Sequence, residues 1–88
     1  MNNQRRKDIQ KLIVKLEDLE ALKNEIQETL EGIRDEEQEY YDNMPENLQG
    51  SDRGYAAEEA ANNLTEALGR LEELDISELT SYLDAAQE

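Results

Sequence analysis

Between residues 5 and 42 the chain contains no proline, and its apolar side chains return with a seven-residue period. With Ile9 at heptad position a, the a positions are Ile9, Leu16, Lys23, Leu30 and Glu37, and the d positions are Leu12, Leu19, Ile26, Ile33 and Tyr40. Such a seam predicts one long helix whose apolar stripe must be covered by other helices. Every d position is apolar, whereas Lys23 and Glu37 interrupt the a row. Ile13 and Leu22 widen the stripe beyond a two-stranded seam, so packing against more than one helix is expected. Val14 falls on the opposite face, where exposure is expected. Gly32 lies off the seam and weakens the helix there by up to about 1 kcal/mol relative to alanine.

The helix has to stop near Asp42, because Pro45 clashes with continued helix and biases Met44 towards extended backbone. Asn43, Pro45, Gly50 and Ser51 supply turn chemistry, giving an expected interhelical loop at 43–51. Ser51 or Asp52 can accept a hydrogen bond from the first turn of a second helix, expected over 52–74. Its apolar face runs from small residues (Ala57, Ala60, Ala61) to larger ones (Leu64, Leu68, Leu71, Leu74), so the backbones can approach closely near the loop. Asp75, followed three residues later by Glu78, resembles a capping box and predicts a third helix over 76–86, with Ile76, Leu79, Tyr82 and Leu83 on its apolar face. The expected fold is all-α: a single helical domain over residues 1–88, an antiparallel hairpin closed by a short C-terminal helix. A core this thin in 88 residues favours association as a dimeric helical bundle.

Charge is distributed unevenly. Six basic residues oppose four acidic ones through residue 23, whereas three oppose nineteen from residue 24 onward, giving −14 in total. The antiparallel arrangement would set Lys7, Lys11 and Lys15 opposite Glu72, Glu73, Glu78 and Asp84, avoiding acid on acid. A field of this sign repels nucleic acid and anionic membrane surfaces and attracts basic proteins. At the N-terminus Leu12, Ile13 and Val14 are followed by Lys15, so neither a signal peptide nor a membrane span is expected, and a cytoplasmic location is.

The chain has no histidine and no cysteine. It therefore lacks the usual base at neutral pH, the usual thiol nucleophile and the commonest transition-metal ligands, so an enzyme is not expected. No cofactor or metal is expected either. A calcium loop begun at Asp42 would place Met44 third and Asn47 sixth, where an oxygen ligand and a glycine are required. "GSDRG" lacks the lysine of a phosphate-binding loop. Glu37, an acid on the seam, is expected to be satisfied by Arg34 or Arg53.

Three of the four tyrosines, the only proline and two of the four glycines fall in "YYDNMPENLQGSDRGY", residues 40–55. Tyr40 is expected to fill the space above Ala57, Ala60 and Ala61; Tyr41 and Tyr55 either join it or remain available to a partner. Met44 and Leu48 are expected to be buried by a short helical turn; exposed, they would form a small apolar patch.

The stretch from Arg34 to Leu74, with "YDNMPENLQ" at Tyr41–Gln49 followed by Ser51, Arg53 and Gly54, resembles small acidic helical proteins of bacteriophages and bacterial mobile elements. The resemblance implies action in a host cytoplasm and carries no residue-level function. Charge and resemblance together suggest a non-enzymatic protein-binding module, in one form a DNA mimic or anti-defence inhibitor of a basic nucleic-acid-binding host protein. Its partner surface would be carried by Glu28, Glu31, Asp35, Glu36, Glu39, Asp42, Glu58, Glu59, Glu66 and Glu73, with Tyr41, Met44, Leu48, Arg53 and Tyr55 at the loop. The alternative is an oligomeric structural or assembly protein, whose acidity serves solubility alone.

Overall fold

A computed structural model describes residues Met1–Glu88 and contains four helices and no strand: α1 (Asn3–Asp42), α2 (Glu46–Gln49), α3 (Asp52–Glu72) and α4 (Ile76–Ala86). Each boundary has a local cause. Asn2 Oδ1 accepts from the Arg5 N–H at 2.8 Å and caps the start of α1. The carbonyl of Pro45 receives the N–H groups of Leu48 and Gln49 at 2.8 and 3.1 Å, closing α2 as one helical turn inside the expected loop. Ser51 Oγ accepts from the Gly54 N–H at the head of α3, and Asp75 Oδ1 accepts from the Glu78 N–H at 2.9 Å at the head of α4. Because Asp75 is extended, with φ −98° and ψ 91°, α3 and α4 are separate helices, and α3 ends two residues before the expected Leu74.

The helices belong to two compact units, Met1–Glu25 with Leu74–Glu88, and Ile26–Glu73. In the first, α4 runs antiparallel to the N-terminal part of α1. Lys23 Nζ donates to the Leu74 carbonyl at 2.6 Å and Ser77 Oγ to Glu20 at 3.2 Å, while at the other end of α4 Arg6 Nε donates to the Gln87 carbonyl at 3.0 Å. Ile76 is the buried anchor of this unit. The expected direction is therefore observed, but the expected ion pairs are not. Lys7, Lys11 and Lys15 form none, and Glu73 pairs with Arg70 of its own helix at 3.7 Å. Exposed lysines gain little from fixed pairing, so hydrogen bonds to backbone and neutral side chains hold the helices in register instead.

In the second unit the buried face of α3 is Gly54, Ala57, Ala61 and Leu68. Gly54 is required by a close approach. A Cβ placed on it would lie 2.2 Å from the Gln49 carbonyl oxygen and 2.5 Å from that of Leu48, so α3 packs directly on the backbone of α2. On α1 the half-buried residues of this unit are Gln27, Leu30, Glu31, Arg34, Glu37 and Tyr41, and Tyr41 lies beside Glu58 of α3.

The half-buried row of α1 differs from the expected seam. It follows positions a and e, through Arg6, Ile9, Ile13, Leu16, Glu20, Lys23, Gln27, Leu30, Arg34, Glu37 and Tyr41. All five d residues, Leu12, Leu19, Ile26, Ile33 and Tyr40, are exposed, as are Leu22 and Val14. The cause is visible in the first unit: Arg6 and Glu20, both at e, hold α4 by hydrogen bonds, which turns the covered stripe towards e and away from d. α1 consequently has no fully buried residue. No helix is long and apolar enough to cross a membrane.

The two glycines Gly54 and Gly32 should respond oppositely to alanine. Gly54→Ala forces a Cβ into backbone and is expected to destabilise by about 1–3 kcal/mol. Gly32→Ala meets nothing within 4 Å and is expected to stabilise by up to about 1 kcal/mol. Urea unfolding followed by helical circular dichroism measures both.

Candidate functional site

The end of α1, α2 and the start of α3 meet at a corner of the second unit, and an open pocket of about 320 Å³ lies there, lined by Tyr40, Asn43, Met44, Pro45, Leu48 and Arg53. Local chemistry builds it. Pro45 ends the descent of the chain from α1 and starts α2, which carries Leu48 on its outer side. The Ser51 hydroxyl and the Ser51 N–H both donate to the Leu48 carbonyl, fixing the step from α2 into α3. Gln49 Nε2 donates to the Tyr41 carbonyl at 3.1 Å and ties α2 to the last turn of α1.

Arg53 is the one cation of the pocket. Its Nε donates to the Tyr40 hydroxyl at 2.7 Å, and its guanidinium carbon stands 5.9 Å from the centre of the Tyr40 ring, within cation–π range. It forms no ion pair, although fourteen acidic residues belong to this unit. Arg53 thus props the Tyr40 ring as a wall of the pocket. This corrects the expected placement of the tyrosines: Tyr40 is 43% exposed, and Tyr41 is the half-buried one. Two adjacent helical residues point about 100° apart, so Tyr41 meets Glu58 within α3 while Tyr40 meets Arg53 at its first turn. Burial is the foremost cause that raises the Tyr41 phenol above its ordinary value, followed by the charge of Glu58, a hydrogen bond to it, and the neighbouring Asp42 and Tyr55.

Of the residues singled out from sequence, the structure brings Met44, Leu48 and Arg53 together around the pocket, and places Tyr41 beside Glu58. Met44 is half-buried, whereas Leu48 remains 40% exposed, so the turn of α2 covers one of the two. Tyr55 is exposed and lines no part of the pocket. Glu28, Asp35, Glu36, Glu39, Asp42, Glu59, Glu66 and Glu73 are exposed along α1 and α3, and Glu31 is half-buried. The expected pairing of Glu37 is not observed: Arg34 pairs with Asp35 at 3.0 Å and Arg53 bonds Tyr40. Sequence reasoning missed Asn43 and Pro45 as lining residues, having assigned them to turn formation, and took Tyr40 as filler; an arginine thirteen residues after a tyrosine across a turn is the signal that could have linked Tyr40 to Arg53.

Chemically the corner offers an apolar floor, an aromatic wall and one guanidinium. No group of three or more histidine, cysteine, aspartate or glutamate side chains is placed to hold a metal ion. Outside the molecule there is no guide to its role, since no protein family, curated protein or solved structure matches the chain.

Because the folded state holds the Tyr41 proton more tightly than the unfolded chain does, its contribution to stability is complete below the ordinary tyrosine pKa of about 10 and is lost as pH rises through the higher folded value. Ultraviolet titration is expected to show a late phenolate step from Tyr41. Tyr41→Phe should remove that late step.

Proposed function

We propose that this chain is a non-enzymatic protein-binding module that engages a basic partner through its second unit. The observation that carries this reading is the state of the carboxylates. Residues 26–73 hold fourteen acidic and three basic side chains, and only Asp35, Glu66 and Glu73 enter ion pairs. Twelve of the fourteen are exposed, with Glu31 and Glu37 half-buried. Uncompensated charge of this density opposes the compact state, and it draws oppositely charged proteins at long range. A partner that normally binds nucleic acid fits such a field, and inhibition of a host nucleic-acid-binding protein by mimicry of its polyanionic ligand is the specific form proposed, in keeping with the phage-like turn motif.

A second reading is favoured by a different observation. The exposed d residues of α1 repeat every seven positions, and a helical protein that leaves such a row uncovered is suited to self-association as a helical bundle. In that reading the acidity keeps an assembly protein soluble. The two readings make separable demands, because one rests on the carboxylates and the other on the d row.

The combined substitutions Glu28→Gln, Glu36→Gln, Glu39→Gln, Glu58→Gln and Glu59→Gln should weaken binding to an immobilised basic DNA-binding protein by at least about tenfold at low salt and flatten its salt dependence. Competition by duplex DNA for the same protein is the accompanying check. Binding that is insensitive both to salt and to these five substitutions would overturn the reading.

A further inference from the structure

The corner pocket lies wholly within the second unit, and its surroundings carry charge of one sign. On α1, Tyr40 and Asn43 line it, and Glu36 and Glu39 precede them at spacings of three and four residues, so the four share one face of the helix. Glu46 opens α2 beside Pro45, and Asp52 opens α3 beside Arg53. Residues 35–52 hold seven carboxylates and no lysine or arginine, and of the seven only Asp35 is ion-paired. Glu36, Glu39, Glu46 and Asp52 are all exposed. Arg53, the one cation that reaches the pocket, commits its Nε to the Tyr40 hydroxyl and its guanidinium to the Tyr40 ring. The apolar lining of Met44, Pro45 and Leu48 therefore opens into an acidic neighbourhood.

We infer that this pocket receives one apolar side chain from a lysine- or arginine-rich segment of a partner protein. The inference rests on the reading of the chain as a module for basic proteins, and adds to it the place of contact and the kind of residue that enters. A volume of about 320 Å³ stands at the lower end of ligand pockets, which suits a single leucine-, methionine- or phenylalanine-sized group. Tyr40 and Leu48 are 43% and 40% exposed, and covering them with such a group removes apolar surface from water. Charge decides what carries the group. An anionic ligand would gain Arg53 alone and would stand among six carboxylates that have no cation of their own. Basic residues flanking the apolar one instead meet Glu36, Glu39 and Glu46, and like-charge repulsion rejects an acidic segment. The carboxylates alone would accept any cation, and the pocket alone any apolar group. Their conjunction selects an apolar residue set between basic ones.

Three fluorescently labelled peptides test this against the full chain by anisotropy at low salt: a lysine-rich peptide with one central leucine, the same peptide with serine in that place, and a glutamate-rich peptide with the leucine. The leucine peptide is expected to bind about tenfold more tightly than the serine peptide, and the glutamate-rich one not to bind. Tyr40→Ala combined with Leu48→Ala, with folding checked by circular dichroism, should cut the preference for leucine to about twofold or less. A second measurement needs no variant: on titration with the leucine peptide, the methyl resonances of Met44 and Leu48 should shift in the nuclear magnetic resonance spectrum, and should move less with the serine peptide. Equal affinity for the two lysine-rich peptides would overturn the role of the pocket and leave attraction of basic partners standing. Tighter binding of the glutamate-rich peptide would overturn the assignment of charge. A leucine preference that survives the double substitution, or that leaves the Met44 and Leu48 methyls unmoved, would overturn the placement. Failure of both lysine-rich peptides to bind would overturn this inference together with the reading it rests on.

Discussion

α1 carries an apolar stripe wider than its neighbours can cover, and the rest of the structure is arranged around that mismatch. A helix buries what another helix can lie on, about one face at a time. α3 and α4 take the a and e positions, and the d positions are left in water. The whole chain buries only four apolar side chains, Ala57, Ala61, Leu68 and Ile76, two of them alanines. So small an interior gives the isolated chain little hydrophobic stabilisation, and it explains why caps and turn bonds are so complete: Asn2, Ser51 and Asp75 each satisfy a helix N-terminus with a side chain.

The same economy shapes the corner between α1 and α3. Contact between Gly54 and the carbonyls of Leu48 and Gln49 brings α3 against α2 with no side chain between them. Leu48 and Tyr40 cannot enter that contact and are turned outward, where Arg53 stacks on the tyrosine and the pocket forms. The corner is thus a product of tight backbone packing, and its exposed apolar lining follows from the absence of room beneath it. Charge behaves differently. With no carboxylate buried, the acidic residues neither define the fold nor are held in place by it. Their effect is on what approaches the molecule.

Much of the fold was legible because it rests on local signals. The seven-residue period from Ile9 predicted α1, Pro45 its end, Ser51 the start of α3, and the Asp75 and Glu78 pair the break before α4. What escaped were statements about which face meets which. The small residues Ala57, Ala60 and Ala61 point to Tyr40 as the ring that fills the space above them, yet Tyr41 at e is the one half-buried beside Glu58. Lys7, Lys11 and Lys15 were set against glutamates that they do not reach. Glu37 was given an arginine that is occupied elsewhere. In the candidate site, Met44, Leu48 and Arg53 were recognisable as unusual residues in a turn, but the pocket they share with Tyr40, Asn43 and Pro45 was not.

Sequence by itself determined the helices and their limits, because periodicity, capping and proline act within a few residues and need no knowledge of what lies across the interface. It also determined the charge field and the poverty of catalytic groups. Only the tertiary structure decided that the covered stripe is a and e instead of a and d. A heptad names the apolar positions of a helix but not the direction from which a neighbour arrives. That direction was set by contacts far apart in the chain, Arg6 with Gln87 and Glu20 with Ser77.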